Sequence, residues 1–117
     1  MANEYPGRVD ANAARVVRIW TGRGTRDGVA RYCDEHFPEC VLPHLRRIDG
    51  FLEARVLVRP AEDKSEVVVM TTWESLDAVK AFAGEGYELA VVEPAVRELL
   101  ERFDDHVTHF TIAADVA

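Results

Sequence analysis

The sequence predicts an α+β fold, a four-stranded antiparallel sheet with its helices on one face. Three observations predict it. Apolar stretches of strand length recur at 14–22, 51–60, 67–73 and 106–113. Segments of helical periodicity lie between the first and second and between the third and fourth, while only a charged turn joins the middle two. The resulting order is β-α-β-β-α-β, whose two crossovers are right-handed and so place all helices on the same side of the sheet.

ARVVRIWTG (14–22) forms the first strand, and GRGTRDG (22–28) is a solvated β-α loop with candidate N-caps at Thr25 and Asp27. A helix from about Asp27 to Arg47 follows. Val29, Cys33, Phe37, Cys40, His44 and Ile48 recur along one of its faces, and Pro38 and Pro43 predict a kink or break. Asp49-Gly50 ends it. In the second strand, FLEARVLVRP (51–60), Leu52, Ala54, Val56 and Val58 share a face. AEDKSE is a charged turn before the third strand, VVVMTTW (67–73). Ser75 caps a helix over 76–83 that buries Leu76, Val79 and Phe82 or Ala83. GEGYELAVVE is a glycine-punctuated connector, and Pro94 suits the first turn of a last helix with the stripe Val96, Leu99, Leu100 and Phe103. HVTHFTIA (106–113) is the fourth strand. This is the ferredoxin-like arrangement, with its second crossover split into two helical pieces. The expected organisation is a flexible leader at 1–14, one domain at 15–113 and a short tail at 114–117.

The composition narrows the function. A chain of 117 residues, 48% of them hydrophobic, suits one domain with a real core. A net charge of −7 argues against general affinity for nucleic acid or for an anionic membrane surface. No apolar run reaches the ~20 residues of a membrane span, and the first residues lack the apolar core of a signal peptide. A cytoplasmic location is expected. Cys33 and Cys40, seven residues apart on one helix, stand ~10 Å apart by helical rise, too far for a disulfide. Val16-Val17-Arg18-Ile19-Trp20 and Val67-Val68-Val69-Met70 are apolar on both faces, yet helices cover only one. The simplest cover for the other is a second copy of the sheet, which predicts a homodimer.

From about Arg15 to Ile112 the chain resembles the antibiotic biosynthesis monooxygenase family of dimeric α/β-barrel proteins. VVRIWTGR, LPHLRRIDGFLEARVLVR, VVVMTTWESLDAVKAFAGEGYE and RFDDHVTHF carry the resemblance. Gly50-Phe51 opens the second strand and Trp73-Glu74-Ser75 ends the third, as in the family. The resemblance implies one of two activities, oxidation of aromatic polyketide substrates by O₂ without a cofactor, or heme degradation. Heme-degrading members are expected to carry an Asn on the first strand, a Trp on the helix after Trp-Glu-Ser and a His near that helix's end. Here the first strand has no Asn, Phe82 takes the Trp position, and 83–93 holds Tyr87 and Val92 but no His.

Among the candidate site residues, Trp73 is either a core plug or the wall of a cleft between sheet and helices. Arg18 and Trp20 share a face of the first strand. There they form a cation beside an aromatic platform, suited to a flat phenolate or carboxylate, unless Arg18 instead pairs with a carboxylate across a dimer seam. His36, Cys40 and His44 follow one another at four-residue spacing, but Pro38 breaks the register and the set is too long to share one ion, so no metal is expected. His44 is either a polar group in the cleft or a packed or solvated histidine. His106 and His109, three apart in a strand, point to opposite faces and cannot ligate one ion together. GRGTRDG lacks the glycine spacing and the Lys-Ser/Thr of nucleotide-binding loops. If the protein is an enzyme, then with no flavin, nicotinamide or metal motif the substrate itself must reduce O₂. The expected site therefore has Arg18, His44 and Tyr87 in catalytic roles. Trp20, Tyr32, Phe37, Trp73 and Phe82 hold a small aromatic substrate, with no cofactor and no metal. The rival expectation is a non-catalytic dimer that binds a small ligand or is purely structural.

Overall fold

The computed structural model describes residues 14–117, so the expected leader lies outside the described residues apart from Ala14. The chain runs β1 (Val16–Thr25), α1 (Arg26–Arg31), a π-helical segment (Tyr32–Val41), α2 (Leu42–Arg46), β2 (Phe51–Ala61), β3 (Lys64–Trp73), α3 (Leu76–Ala83), α4 (Val96–Leu99), β4 (Arg102–Phe103) and β5 (Thr108–Thr111). The sheet is antiparallel in the order β2-β3-β1, with β4 and β5 both pairing on the free side of β1. The expected α+β fold is found, with five strands because the last is split. β5 pairs with Val16–Ile19, and the two-residue β4 pairs with Gly22-Arg23.

Three local differences from the sequence reading have physical causes. First, GRGT is strand rather than loop, and Gly22 and Gly24 are buried. Both are seats for the Leu99–Leu100 segment. A Cβ on Gly22 would meet Leu100 Cδ1 at 2.7 Å, and one on Gly28 would meet the Leu99 carbonyl oxygen at 2.1 Å. Second, Leu52 is bulged out of register, so Phe51 rather than Leu52 stands opposite Trp73. Third, α4 ends at Leu99, and Leu100 turns extended (φ −119°, ψ 143°) so that its side chain reaches the glycine seat.

The first crossover is helical throughout 26–46, as expected, but its middle is π-helical: the Leu42 N–H donates to the Phe37 carbonyl, five residues back. Pro38 lies inside this stretch. It lacks an N–H, and its ring would crowd a carbonyl of the preceding turn, a conflict that a wider turn relieves. The wider turn also moves the buried stripe by one residue. Tyr32, His36, Phe37 and Leu45 are buried and Val41 half-buried, while Cys40 and His44 are exposed.

The helix-facing side of the sheet carries Val16, Arg18 and Trp20 from β1 and Val67, Val69, Thr71 and Trp73 from β3, alternating as a two-residue period requires. Val29, Tyr32, Phe37, Leu45, Val79, Val96 and Leu100 close over it as the core. The opposite face carries Val17, Ile19, Val68, Met70, Leu57 and Phe110, and nothing among the described residues covers it. Leu57 is 47% and Phe110 54% exposed. No helix among the described residues is long and apolar enough to cross a membrane.

Candidate functional site

Between β1, β3 and the helices the core leaves a cavity of about 70 Å³. Its floor is Arg18, Trp20, Val69 and Thr71 on the strands, and its roof is Tyr32, His36, Val41 and Leu45 on the first crossover. Phe82 closes one end, and Val91, Val92 and Glu93 of the connector form the mouth.

Arg18 is the buried cation of this site. One guanidinium nitrogen donates to the Tyr87 carbonyl at 2.6 Å and lies 3.0 Å from His109 Nε2; the other donates to the Leu89 carbonyl at 3.0 Å. The guanidinium also stacks over Phe82, 5.6 Å from the ring centre. It faces the helices rather than the open side of the sheet, and no carboxylate among the described residues pairs with it. Burial lowers its pKa from the usual arginine value to about 10, so it stays charged at neutral pH. His109 must accept from it and is therefore neutral there. Burial first, and the Arg18 charge second, push the imidazole below its ordinary value, with Glu88 opposing.

His36 is the second polar group. It is 6% exposed, and its Nε2 has no aligned hydrogen-bond partner. The Glu93 carboxylate stands 3.3 Å from that nitrogen, within ion-pair range but poorly directed for a hydrogen bond. We regard the pair as a contact that leaves Nε2 unsatisfied, because direction decides hydrogen-bond strength. The Tyr32 ring lies 5.4 Å from the His36 ring. Burial raises the Tyr32 pKa above the usual phenol range, with Cys33 and Glu93 adding to it, so its hydroxyl stays protonated.

Of the residues expected to form the site, Arg18, Trp20, Tyr32 and Phe82 line the cavity. Trp20 donates its indole N–H to the Asp104 carbonyl at 2.9 Å and stacks near Tyr32 at 5.8 Å. Phe37 packs behind Tyr32 at 6.5 Å. Trp73 is fully buried beyond Phe82, its N–H donated to Thr71 Oγ1 at 2.9 Å. The other two touch the site from outside. The His44 ring meets the Phe82 edge at 5.2 Å, and Tyr87, its ring between His109 and Lys80, offers Arg18 only its carbonyl. Two further polar residues line the cavity: His36, weighed from the sequence only as a metal ligand, and Glu93, which sequence reasoning did not single out. The available signal for His36 was its place seven residues after Val29, on one face of a regular helix with Tyr32.

The family's sequence profile, described as antibiotic biosynthesis monooxygenase, matches residues 16–94. The chain belongs to that family. Solved structures agree on the fold. A Bacillus cereus protein assigned as an antibiotic biosynthesis monooxygenase is 20% identical, with a TM-score of 0.63 over 89% of this chain and 98% of its own. The heme-degrading protein of Mycobacterium tuberculosis is 23% identical, with a TM-score of 0.59 over 91% of this chain and 99% of its own. SnoaB of Streptomyces nogalater, a cofactor-independent oxygenase, is 16% identical, with a TM-score of 0.53 over 90% and 97%. No curated protein matches the chain at a significant level. Heme does not fit the cavity as it stands. The cavity is about 70 Å³, far below the size of a porphyrin, and no histidine lies in 83–93.

Proposed function

We propose that the protein is a cofactor-independent monooxygenase for a small electron-rich aromatic compound, working as a homodimer through the open face of its sheet. One observation carries this reading. An apolar, aromatic-walled cavity holds a buried guanidinium whose partners among the described residues are two carbonyls and an imidazole rather than a carboxylate. An uncompensated cation in a low-dielectric pocket favours the anionic form of whatever binds beside it.

The residues divide the work. Trp20, Tyr32 and Phe82 hold the ring, and Arg18 favours its phenolate, which can give an electron to O₂ where the neutral phenol cannot. Phe37 and Trp73 support the walls from behind. His44, against Phe82, and Tyr87, whose carbonyl holds Arg18, are positioning residues. The reaction balances without an external reductant. One ring carbon gains an oxygen atom, and two substrate hydrogens leave with the second oxygen as water. The cavity of about 70 Å³ holds on the order of five waters. A ring therefore enters by displacing the mouth side chains Val91 and Val92.

The test is oxygen uptake by metal-free protein with 1,5-dihydroxynaphthalene. Uptake matched by hydroxynaphthoquinone formation is expected. Uptake abolished by chelator contradicts the reading, and tight binding without uptake favours the non-catalytic dimer. Light scattering checks the assembly. A mass of twice the 13.1 kDa chain is expected, and a monomer at micromolar concentration contradicts it.

A further inference from the structure

One buried polar group in the cavity wall has no partner. His36 is 6% exposed and lines the cavity, and its Nε2 has no hydrogen-bond partner. An unsatisfied buried polar atom costs about 1–3 kcal/mol, and such groups are rare enough in folded proteins to require a reason. Glu93, 3.3 Å from the same nitrogen, lies at the mouth with its side chain 48% exposed. His36 thus belongs to the cavity wall, and its Nε2 has a solvent-connected carboxylate beside it.

We propose that His36 is the proton acceptor of this pocket and Glu93 its outlet to solvent, and that the ligand is a small phenol or enol whose hydroxyl sits on His36 Nε2. The inference rests on the aromatic-substrate reading above and specifies how the substrate becomes an anion. The ligand O–H bond breaks and an N–H bond forms at Nε2, while the bonding pair stays on oxygen as the phenolate. The imidazolium then gives its proton to the Glu93 carboxylate, which releases it to water. The ligand hydroxyl completes the hydrogen bonding that Nε2 lacks in the free protein. Other charged or titratable groups facing His36 are Tyr32, one turn earlier on its own helical segment, and Arg18 across the cavity on β1. Tyr32 stays neutral, and Arg18 attracts the phenolate once formed. An imidazole nitrogen suits this place because it can both accept a proton and pass it on.

The probe is 4-nitrophenol, whose anion absorbs visible light, titrated without oxygen at a pH one unit below its solution pKa. Wild-type protein is expected to bind it as the anion. His36→Gln is expected to bind it as the neutral phenol, at least tenfold more weakly. Glu93→Gln should still ionise the probe, with a pH midpoint shifted from that of wild type. If wild type binds only the neutral phenol, or if His36→Gln ionises the probe fully, the proton-acceptor role is overturned while the aromatic pocket stands. If no form binds, both readings fall. Circular dichroism verifies the fold of each variant. Should His36→Gln not fold, an unchanged pH midpoint in Glu93→Gln overturns the relay.

Discussion

The helix-facing side of the sheet is organised around a tryptophan at each end, and the two ends differ in kind. At one end Trp73 is fully buried, packed on Phe51 at 5.5 Å and Phe82 at 5.3 Å, its N–H satisfied by Thr71. At the other, Trp20 is half-buried, stacks on Tyr32 and Phe103, and borders the cavity. Both sit on central strands with helix-facing side chains, so the difference lies in what covers them. Trp73 is covered by a complete helix, α3, whose Ser75 cap fixes its start and whose neighbour Gly50 (φ +95°) lets the backbone pass close to Ala78. Trp20 is covered by a π-helical segment and an irregular connector, and neither closes fully. The cavity forms where regular structure runs out.

The largest expected effect breaks the closed end. Trp73→Ala should cost about 3–5 kcal/mol in urea denaturation, the range for emptying a fully packed aromatic site. A loss under about 1 kcal/mol would show that Trp73 is not the keystone described. A smaller effect is expected behind the open end. Gly28→Ala places a Cβ 2.1 Å from the Leu99 carbonyl, and a rigid backbone atom cannot yield as a side-chain tip can. We expect about 1–3 kcal/mol of destabilisation, together with weaker ligand binding, because Leu99–Leu100 backs the strand that carries Trp20.

The smallest effect concerns the connector that forms the mouth. His109 has a lowered pKa in the folded protein, so between its folded and unfolded values the unfolded chain binds more protons. Stability must then rise with pH across that window. As pH falls through the unfolded value of about 6.5, stability declines as protonation breaks the bond from Arg18. His109→Gln, which keeps an acceptor without titrating, should flatten that dependence in thermal denaturation followed from pH 7.5 to 5. An unchanged slope would remove His109 from the connector's anchorage.

The contrast between the two ends also marks what the sequence could reveal. The closed end was legible because its determinants are local. The apolar run into Trp73, the Ser75 cap on the Ala78 N–H and the 76–83 helix all follow from neighbouring residues. The open end depends on contacts between distant segments. That Gly22 and Gly28 seat Leu99–Leu100, or that Arg18 would be held by the carbonyls of Tyr87 and Leu89, is written in no local pattern. Regular helical periodicity placed Cys40 and His44 inward. The π-helical turn substitutes Val41 and Leu45. Arg18, Trp20, Tyr32 and Phe82 were legible as cavity residues because strand alternation and the flanking turns of each helix keep their phase.

The protein's two tryptophans make the central claim directly measurable. Each contributes one indole N–H signal to a ¹H–¹⁵N spectrum, and substitution of either assigns both. Titration with 1,5-dihydroxynaphthalene without oxygen is predicted to move the Trp20 signal saturably and leave the Trp73 signal in place. Movement of Trp73 alone, or of neither, would contradict a ligand pocket at the Trp20 end of the sheet.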